Sequence, residues 1–169
     1  TLRENLSFGR KNLGEQDWAR ALHAACLDED LAQMRAGLDT EIGERGVSLS
    51  GGQKQRISLA RCVLQNPQLV YLDDPLSAVD PRTEALLMER LILGEWKDKT
   101  RITVTHRLEH LEHFDRILFL SGGEVKGLGS VEELMAFSPE FQDFIKDHAA
   151  AESAEFDTGE SQKTDTTDE

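Results

Sequence analysis

The sequence is most constrained by a short apolar run that ends in two carboxylates. Leu69 to Leu72 is continuous and apolar over the length of a strand, and Asp73 and Asp74 follow it directly. A run without polar alternation is typical of a parallel strand that is buried on both faces by helices. Ligand-binding groups in open α/β sheets gather where the strands end. The pattern therefore predicts an α/β fold with a carboxylate at the binding edge of its sheet.

A serine and two glycines precede a predicted helix on the N-terminal side of this strand. Ser50 supplies a hydroxyl, and Gly51 and Gly52 let backbone N–H groups approach a ligand closely. The helical apolar period includes Ile57 and continues to about Gln65. Since a helix N-terminus carries unpaired N–H groups and positive dipole charge, it is a natural site for phosphate. An ordinary serine-capped helix would explain a bare Ser-Gly-Gly equally well.

Composition favours a soluble, globular chain and excludes nucleic acid as a default partner. The 169 residues are 38% hydrophobic and 30% charged, and their apolar runs are too short to cross a bilayer. The net charge of −13 opposes binding to a polyanion, which requires a basic face. Residues 149–169 are acidic with few apolar side chains, so they are predicted to form a disordered tail.

Outside these features, the pattern predicts ordinary helices, strands and connections. Thr1 to Gly9 is predicted to be a connecting segment, and a short helix is predicted over Leu27 to Met34, with Gly37 as its stop signal. Asp80 is a predicted N-cap ahead of Pro81. The remaining predictions are a helix over Asp17 to Cys26, a strand over Arg101 to Thr105, a hairpin across Ser121 to Gly123, a capping box at Ser130 and a last helix near residues 139–148.

Four segments in a fixed order resemble a known family. Leu49 to Gln53, Leu69 to Asp74, Ser77 to Asp80 and Thr103 to Arg107 are similar to the signature motif, Walker B strand, D-loop and H-loop of ATP-binding cassette (ABC) proteins. The signature residues are Leu49, Ser50, Gly51, Gly52 and Gln53, and the D-loop residues are Ser77, Ala78, Val79 and Asp80. The resemblance covers roughly residues 1–148.

The resemblance implies an α/β P-loop NTPase (RecA-like) core fragment with an ABC helical subdomain. Residues 1–148 would form the C-terminal part of a nucleotide-binding domain. Within it, residues of about 10–65 would form the helical subdomain, and residues 66–148 would carry Walker B, the D-loop, the H-loop and a C-terminal hairpin with helices. The acidic tail would follow at residues 149–169.

The resemblance also implies ATP and Mg²⁺ as cofactors and assigns the reacting groups. Asp73 would reach Mg²⁺, Asp74 would orient or deprotonate the attacking water, and His106 would contact the γ-phosphate. Asp74 departs from the family pattern, in which this position is usually glutamate. Aspartate is shorter by one methylene, and a displacement of about 1 Å can slow a reaction roughly a hundredfold. This chain's own site is therefore predicted to hydrolyse ATP weakly.

The sequence around the signature motif resembles that of exporter-type ABC domains. Thr40 to Gly46 is similar to the X-loop of exporter-type ABC domains, which makes Glu41, Glu44 and Arg45 candidates for coupling to a membrane domain. The segment from Asp73 to Asp80 reads Asp-Asp-Pro-Leu-Ser-Ala-Val-Asp. It resembles the same segment in the first nucleotide-binding domain of asymmetric, multidrug-resistance-associated exporters. The implied partners are a transmembrane domain and a second nucleotide-binding domain in a head-to-tail dimer, at the cytoplasmic face of a membrane.

One expected motif does not occur in the sequence. No G-x-x-x-x-G-K-[ST] phosphate loop is found, so we expect the chain to be the C-terminal part of a truncated domain that alone binds ATP weakly. Two alternatives remain: a soluble ABC-type ATPase that does not transport, and a catalytically inert regulatory ABC domain.

Overall fold

The computed structural model describes residues 1–43 and 46–148, which divide into two compact units. The first unit is Thr1–Thr105, and the second begins at His106. The X-loop predictions for Glu44 and Arg45, and the acidic tail predicted at residues 149–169, lie outside the described residues.

The first unit is mainly helical and contains one small sheet. Its elements are α1 Leu2–Ser7, α2 Glu15–Ala24, α3 Asp28–Gln33, a 3₁₀ turn Gly37–Asp39, α4 Gly51–Gln65, β1 Leu69–Asp73, α5 Pro81–Leu87, a π-helix Met88–Glu95 that continues α5, and β2 Thr100–Val104.

Helix α4 lies at the centre of the first unit. It buries Ile57, Ala60 and Val63, which share one face at helical spacing, and both α1 and α2 pack against it. The helix ends where predicted, because Asn66 adopts a left-handed conformation with φ of 48° and Pro67 prevents its continuation. The apolar period and the Asn66-Pro67 stop signal therefore predict the end of this helix correctly.

Two predictions in the N-terminal region were wrong. Thr1 to Gly9 was predicted to be a connection, but α1 forms because Thr1 and Glu4 make a reciprocal capping box and Leu6 is fully buried. The short helix predicted over Leu27 to Met34 is confirmed as α3 Asp28–Gln33, but Gly37 is not its stop signal, since Gly37 begins the 3₁₀ turn.

The sheet of the first unit consists of β1 and β2, which run parallel as the sequence predicted. Their register pairs Leu69 with Thr100 and Asp73 with Val104. The prediction that β1 is buried on both faces was wrong for the described residues. Its burial alternates, with Val70 and Leu72 buried but Leu69 and Tyr71 exposed by 49% and 71%. The helices of this unit therefore cover only one face of the two-stranded sheet.

The second unit contains an antiparallel hairpin and helices. Its strands are β3 Ile117–Ser121 and β4 Glu124–Gly129, joined at Gly122 and Gly123, which both have positive φ. Helix α6 Val131–Phe137 begins at the Ser130 capping box, and α7 spans residues 139–148. Phe119, Leu134 and Phe141 form its small core. The hairpin and both helices match the prediction.

Among residues 1–43 and 46–148, the helices are too short or too polar to cross a bilayer.

Candidate functional site

The two carboxylates at the end of β1 lie at the carboxyl edge of the sheet, as the sequence predicted. Asp73 is the last residue of β1 and lies beside Val104, the last residue of β2. The Asp74 N–H donates to the Val104 carbonyl at 2.8 Å. The Asp73 residue is exposed and Asp74 is partly buried. This edge therefore presents one carboxylate to solvent and fixes the backbone of the next residue by a strand-like hydrogen bond.

Asp74 has a strained backbone that is held by the turn behind it. Its φ is 45°, a left-handed conformation that aspartate tolerates better than most residues. The Ser77 hydroxyl donates to the Asp74 carbonyl at 3.0 Å, and the Ser77 N–H donates to the same oxygen at 3.4 Å. The turn thus sets the direction in which the Asp74 side chain leaves the strand.

Ser50 caps α4 in the manner that the ordinary interpretation of its sequence predicted. Its hydroxyl oxygen accepts from the Gln53 N–H at 3.1 Å, and the Gln53 side-chain oxygen accepts from the Ser50 N–H at 2.9 Å. Because the cap uses the hydroxyl oxygen only as an acceptor, it does not consume the O–H proton. Capping and donation to a phosphate are therefore compatible roles for Ser50.

An aspartate that the sequence analysis missed holds the first turns of α4. One carboxylate oxygen of Asp30 accepts from the Gln53 amide at 2.8 Å, and the other forms a 2.6 Å ion pair with Arg56. Both charged side chains are largely buried, with 14% and 16% exposed. Arg56 also donates to the Cys26 carbonyl. Nothing in the local sequence of α3 marks Asp30 for this role, since its two partners lie 23 and 26 residues away.

The signature helix also touches the D-loop. A Cβ added at Gly52 would lie 2.8 Å from the Ala78 carbonyl oxygen, whereas one at Gly51 would be 3.9 Å from the Ala78 side chain. Gln55, also missed by the sequence analysis, hydrogen-bonds the same loop through its side-chain amide. The signature and D-loop sequences are therefore assembled in one unit, and Gly52 is required there by close packing.

The D-loop ends in the predicted N-cap of α5. One Asp80 carboxylate oxygen accepts from the Thr83 N–H at 3.0 Å, and the other accepts from the Thr83 hydroxyl at 2.6 Å. These hydrogen bonds, from the side chain and then from the backbone of Thr83, hold the pKa of Asp80 below its ordinary value. Val79 packs against the core, so the loop is anchored at both of these positions.

The described part of the predicted X-loop closes on itself. The Val47 N–H donates to the Glu41 carbonyl at 2.9 Å, and a Cβ at Gly46 would lie 2.2 Å from that same oxygen. Only glycine fits there. A groove of about 520 Å³ adjoins this loop, with Ile42, Gly43, Val47, Leu49, Lys54 and Arg61 among its lining residues.

His106 is the first residue of the second unit and is exposed. It follows β2 by two residues, and β2 ends beside Asp73 in the sheet register. The proximity of His106 to the carboxylates remains a prediction.

The donor set at the carboxyl edge fits Mg²⁺ in its chemistry. Mg²⁺ prefers oxygen ligands and is commonly bound by one or two carboxylates together with water and substrate phosphates. The exposed Asp73 offers such an oxygen. In the described ranges, histidine, cysteine, aspartate and glutamate side chains do not gather in a group of three that could hold a metal ion. A Mg²⁺ ion at Asp73 would thus depend on phosphate and water for its other ligands.

Comparison with known proteins confirms the resemblance stated from the motifs. Residues 1–77 match the family described as "ABC transporter". The chain is 43% identical over 136 residues to the Probable multidrug resistance ABC transporter ATP-binding/permease protein YheI of Bacillus subtilis, covering 80% of the chain and 23% of that protein. It is 40% identical over 167 residues to Multidrug resistance protein mrp-7 of Caenorhabditis elegans, covering 98% of the chain and 11% of that protein.

A third relative is ABC transporter C family member 2 of Dictyostelium discoideum, 44% identical over 146 residues, or 86% of the chain and 10% of that protein. The chain thus spans between about a tenth and a quarter of the length of these relatives. The similarity to ABC exporters is confirmed, and the mixed helix and strand content fits the predicted α/β P-loop NTPase fragment.

Proposed function

We propose that this chain, similar to the nucleotide-binding domain of ABC exporters, binds and hydrolyses ATP within such a domain and so powers transport across a membrane. The observation that carries the proposal is the assembly of three motifs in one unit. The N-terminus of α4 is joined to the loop that follows Asp73 through Gln55 and Gly52. These contacts support the proposal because they join the start of α4, which we propose faces a phosphate, to the loop that follows Asp73, which we propose binds Mg²⁺.

At the chain's own site, Asp73 would hold Mg²⁺, while Asp74 and His106 would act on the reacting groups. Bound Mg²⁺ neutralises charge that develops on the phosphates. Asp74 accepts a hydrogen bond from the attacking water, and His106 orients that water and contacts the terminal phosphate. The glycine-rich loop with its lysine is not in the printed sequence, so we propose that a segment outside it supplies this phosphate cradle.

The signature residues serve a second site. In a head-to-tail dimer with another nucleotide-binding domain, Leu49 to Gln53 face the ATP that the partner holds. The Ser50 hydroxyl and the N–H groups at the start of α4 suit an anion, since the helix dipole adds to their donated hydrogen bonds. The short Asp74 side chain makes the chain's own site weakly hydrolytic, and the intact signature completes the stronger partner site. The D-loop residues Ser77 to Asp80 connect the chain's own ATP site with the partner's ATP site.

The X-loop provides the route to the membrane domain. Glu41, Glu44 and Arg45 are proposed to transmit the nucleotide state to a transmembrane partner at the cytoplasmic face of the membrane. The groove lined by Ile42 and Val47 adjoins this loop, and we propose that it contacts such a partner. Reversing the charge of Glu41 and Glu44 in the transporter should reduce transport while ATP hydrolysis continues. Unchanged transport at unchanged hydrolysis would remove this assignment.

The test of the whole proposal is the mass and location of the native product. An antibody against residues 149–169 should detect a membrane-bound species several times larger than 18.9 kDa. A large product in the soluble fraction would favour a non-transport ABC ATPase. A soluble product of 18.9 kDa would contradict the proposal and favour an inert regulatory module.

A further inference from the structure

We propose that Gln55 is a positioning residue that ties the signature helix to the backbone of Asp74, an inference that rests on the proposed function. Its side-chain nitrogen donates to the Asp74 carbonyl at 3.1 Å and to the Ser77 hydroxyl oxygen at 3.3 Å. Its side-chain oxygen accepts from the Ala78 N–H at 3.2 Å. One amide therefore joins both ends of the turn that runs from Asp74 to Ala78.

The chemistry of these contacts requires an amide. A carbonyl oxygen needs a donor, and the Ala78 N–H needs an acceptor, so the side chain at position 55 must offer both. Glutamate has nearly the same shape but no donor, and methionine has nearly the same length but makes neither contact well. Gln55 is partly buried, where a mismatched polar contact costs more than it does in water.

Other contacts make this connection stiff. Gly52, one turn earlier on α4, lies against the Ala78 carbonyl with no room for a Cβ. The Asp74 carbonyl that Gln55 holds also accepts from Ser77, and the Asp74 N–H is fixed on Val104. A shift of α4 therefore moves the backbone from which the Asp74 carboxylate projects. Nucleotide contact at the N-terminus of α4 is thus transmitted to the catalytic carboxylate of the chain's own site.

The test is a double-mutant comparison in the full-length transporter, with Gln55→Glu introduced alone and together with Asp74→Glu. Asp74→Glu is expected to raise kcat above that of the parent. If Gln55 acts through residue 74, adding Gln55→Glu should make this gain in kcat roughly tenfold smaller. The KM for ATP should stay within about twofold, because ground-state binding is not altered. Hydrolysis in the parent should fall by a smaller factor than in the Asp74→Glu variant, because the parent's own Asp74 site contributes little to the total rate.

Gln65→Glu is the matched control, since it makes the same chemical change at the far end of the same helix, where the side chain donates to the Ser7 carbonyl. Hydrolysis that falls by the same factor with either substitution would overturn the inference. Equal proportional losses from Gln55→Glu in the parent and in the Asp74→Glu variant would also overturn it. Absence of hydrolysis in both the parent and Asp74→Glu would instead overturn the proposed function, together with this inference.

A second measurement does not depend on hydrolysis. Gln55→Met should speed hydrogen–deuterium exchange of the Ala78 amide in the full-length protein by roughly fivefold or more, because that N–H loses its acceptor. Exchange over α2, which lies in the same unit as Gln55 and Ala78, should be unchanged, which shows that the first unit of the variant is folded. An Ala78 amide that exchanges at the parental rate would show that the contact does not hold the loop, and the inference would fall even if the transporter hydrolyses ATP.

Discussion

At the scale of single residues, Asp74 combines a short side chain with a strained backbone. Its φ of 45° and its hydrogen bonds to Val104 and Ser77 fix where the carboxylate leaves the chain. The side chain reaches one methylene less far than glutamate would from the same Cα. In the proposed site, the distance from the Asp74 carboxylate to the attacking water would therefore be set by side-chain length, because the backbone is already held.

We expect Asp74→Glu to raise ATP hydrolysis at this site by roughly 10- to 100-fold, since about 1 Å of misplacement costs up to a hundredfold. Steady-state hydrolysis by the assembled transporter is the measurement. Asp98→Glu, the same change at an exposed residue, is the control and should have no effect. If the rate does not rise at all with Asp74→Glu, the shortened side chain does not limit this site.

Asp80 gives a pH dependence at the residue scale. Since its pKa in the folded protein is lowered by Thr83, its cap contributes fully above the pKa of an ordinary aspartate, about 3.9. The contribution is lost as the pH falls through the lower, folded-state pKa. We expect the difference in melting temperature between the parent and Asp80→Asn, which caps without titrating, to be constant above about pH 5 and to change only below it. A change between pH 5 and 7 would contradict this.

At the scale of elements, α4 is fixed by two different kinds of contact. Its second residue lies against the Ala78 carbonyl, and its first turns are held by Asp30 on α3. The two contacts are made to different parts of the first unit, so they should be separable by substitution.

Gly52→Ala should destabilise the protein by about 1–3 kcal/mol, because the new methyl group would overlap a backbone oxygen and force the D-loop away. Gly51→Ala should be neutral or stabilising by up to about 1 kcal/mol. Its methyl group would lie at an ordinary van der Waals distance from the Ala78 side chain, and alanine favours the helical conformation over glycine. Urea unfolding of both variants measures the contrast. Equal effects would mean that the close approach to Ala78 does not constrain α4.

Asp30→Ala should cost roughly 3 kcal/mol, since it leaves the largely buried Arg56 cation without its carboxylate. Asp28→Ala is a matched control on the same helix. Asp28 is about half exposed and lies 3.8 Å from Arg90, so its loss should cost less than about 1 kcal/mol. Urea unfolding again gives the values. Similar costs for the two aspartates would show that Asp30 does not anchor the signature helix.

At the scale of the whole molecule, the β1–β2 sheet leaves one apolar face uncovered by the described residues. Leu69, Tyr71, Ile102 and Val104 are exposed by between 42% and 71% and lie on the same face of two paired strands. Parallel sheets are ordinarily covered on both faces, so this surface favours association with another layer.

We expect the 169-residue chain on its own to self-associate at micromolar concentration through this face. The double change Ile102→Thr and Val104→Thr keeps β-branched side chains while lowering apolarity, and it should shift the chain towards monomer in sedimentation velocity. Val125→Thr, at an exposed position of the hairpin in the second unit, is the control. An equal shift from Val125→Thr would contradict a specific role for the sheet face.

Local signals in the sequence determined most of the elements and the motif positions. The period and Asn66-Pro67 set the bounds of α4, and Asp80 and Ser130 cap the helices that follow them. Such signals act over a few residues, so they can be recognised without the fold. The same kind of local signal occurs at Thr1 and Glu4, where the capping box begins α1.

Only the tertiary structure decided which residues hold the site together. Gln55 meets the Asp74 carbonyl from 19 residues away, and Asp30 meets Arg56 from 26. Every residue carries a backbone carbonyl, so the sequence cannot show which one a side chain will bind. Whether β1 is covered on one face or two is equally beyond the strand's own residues, because it depends on which layers pack against the sheet.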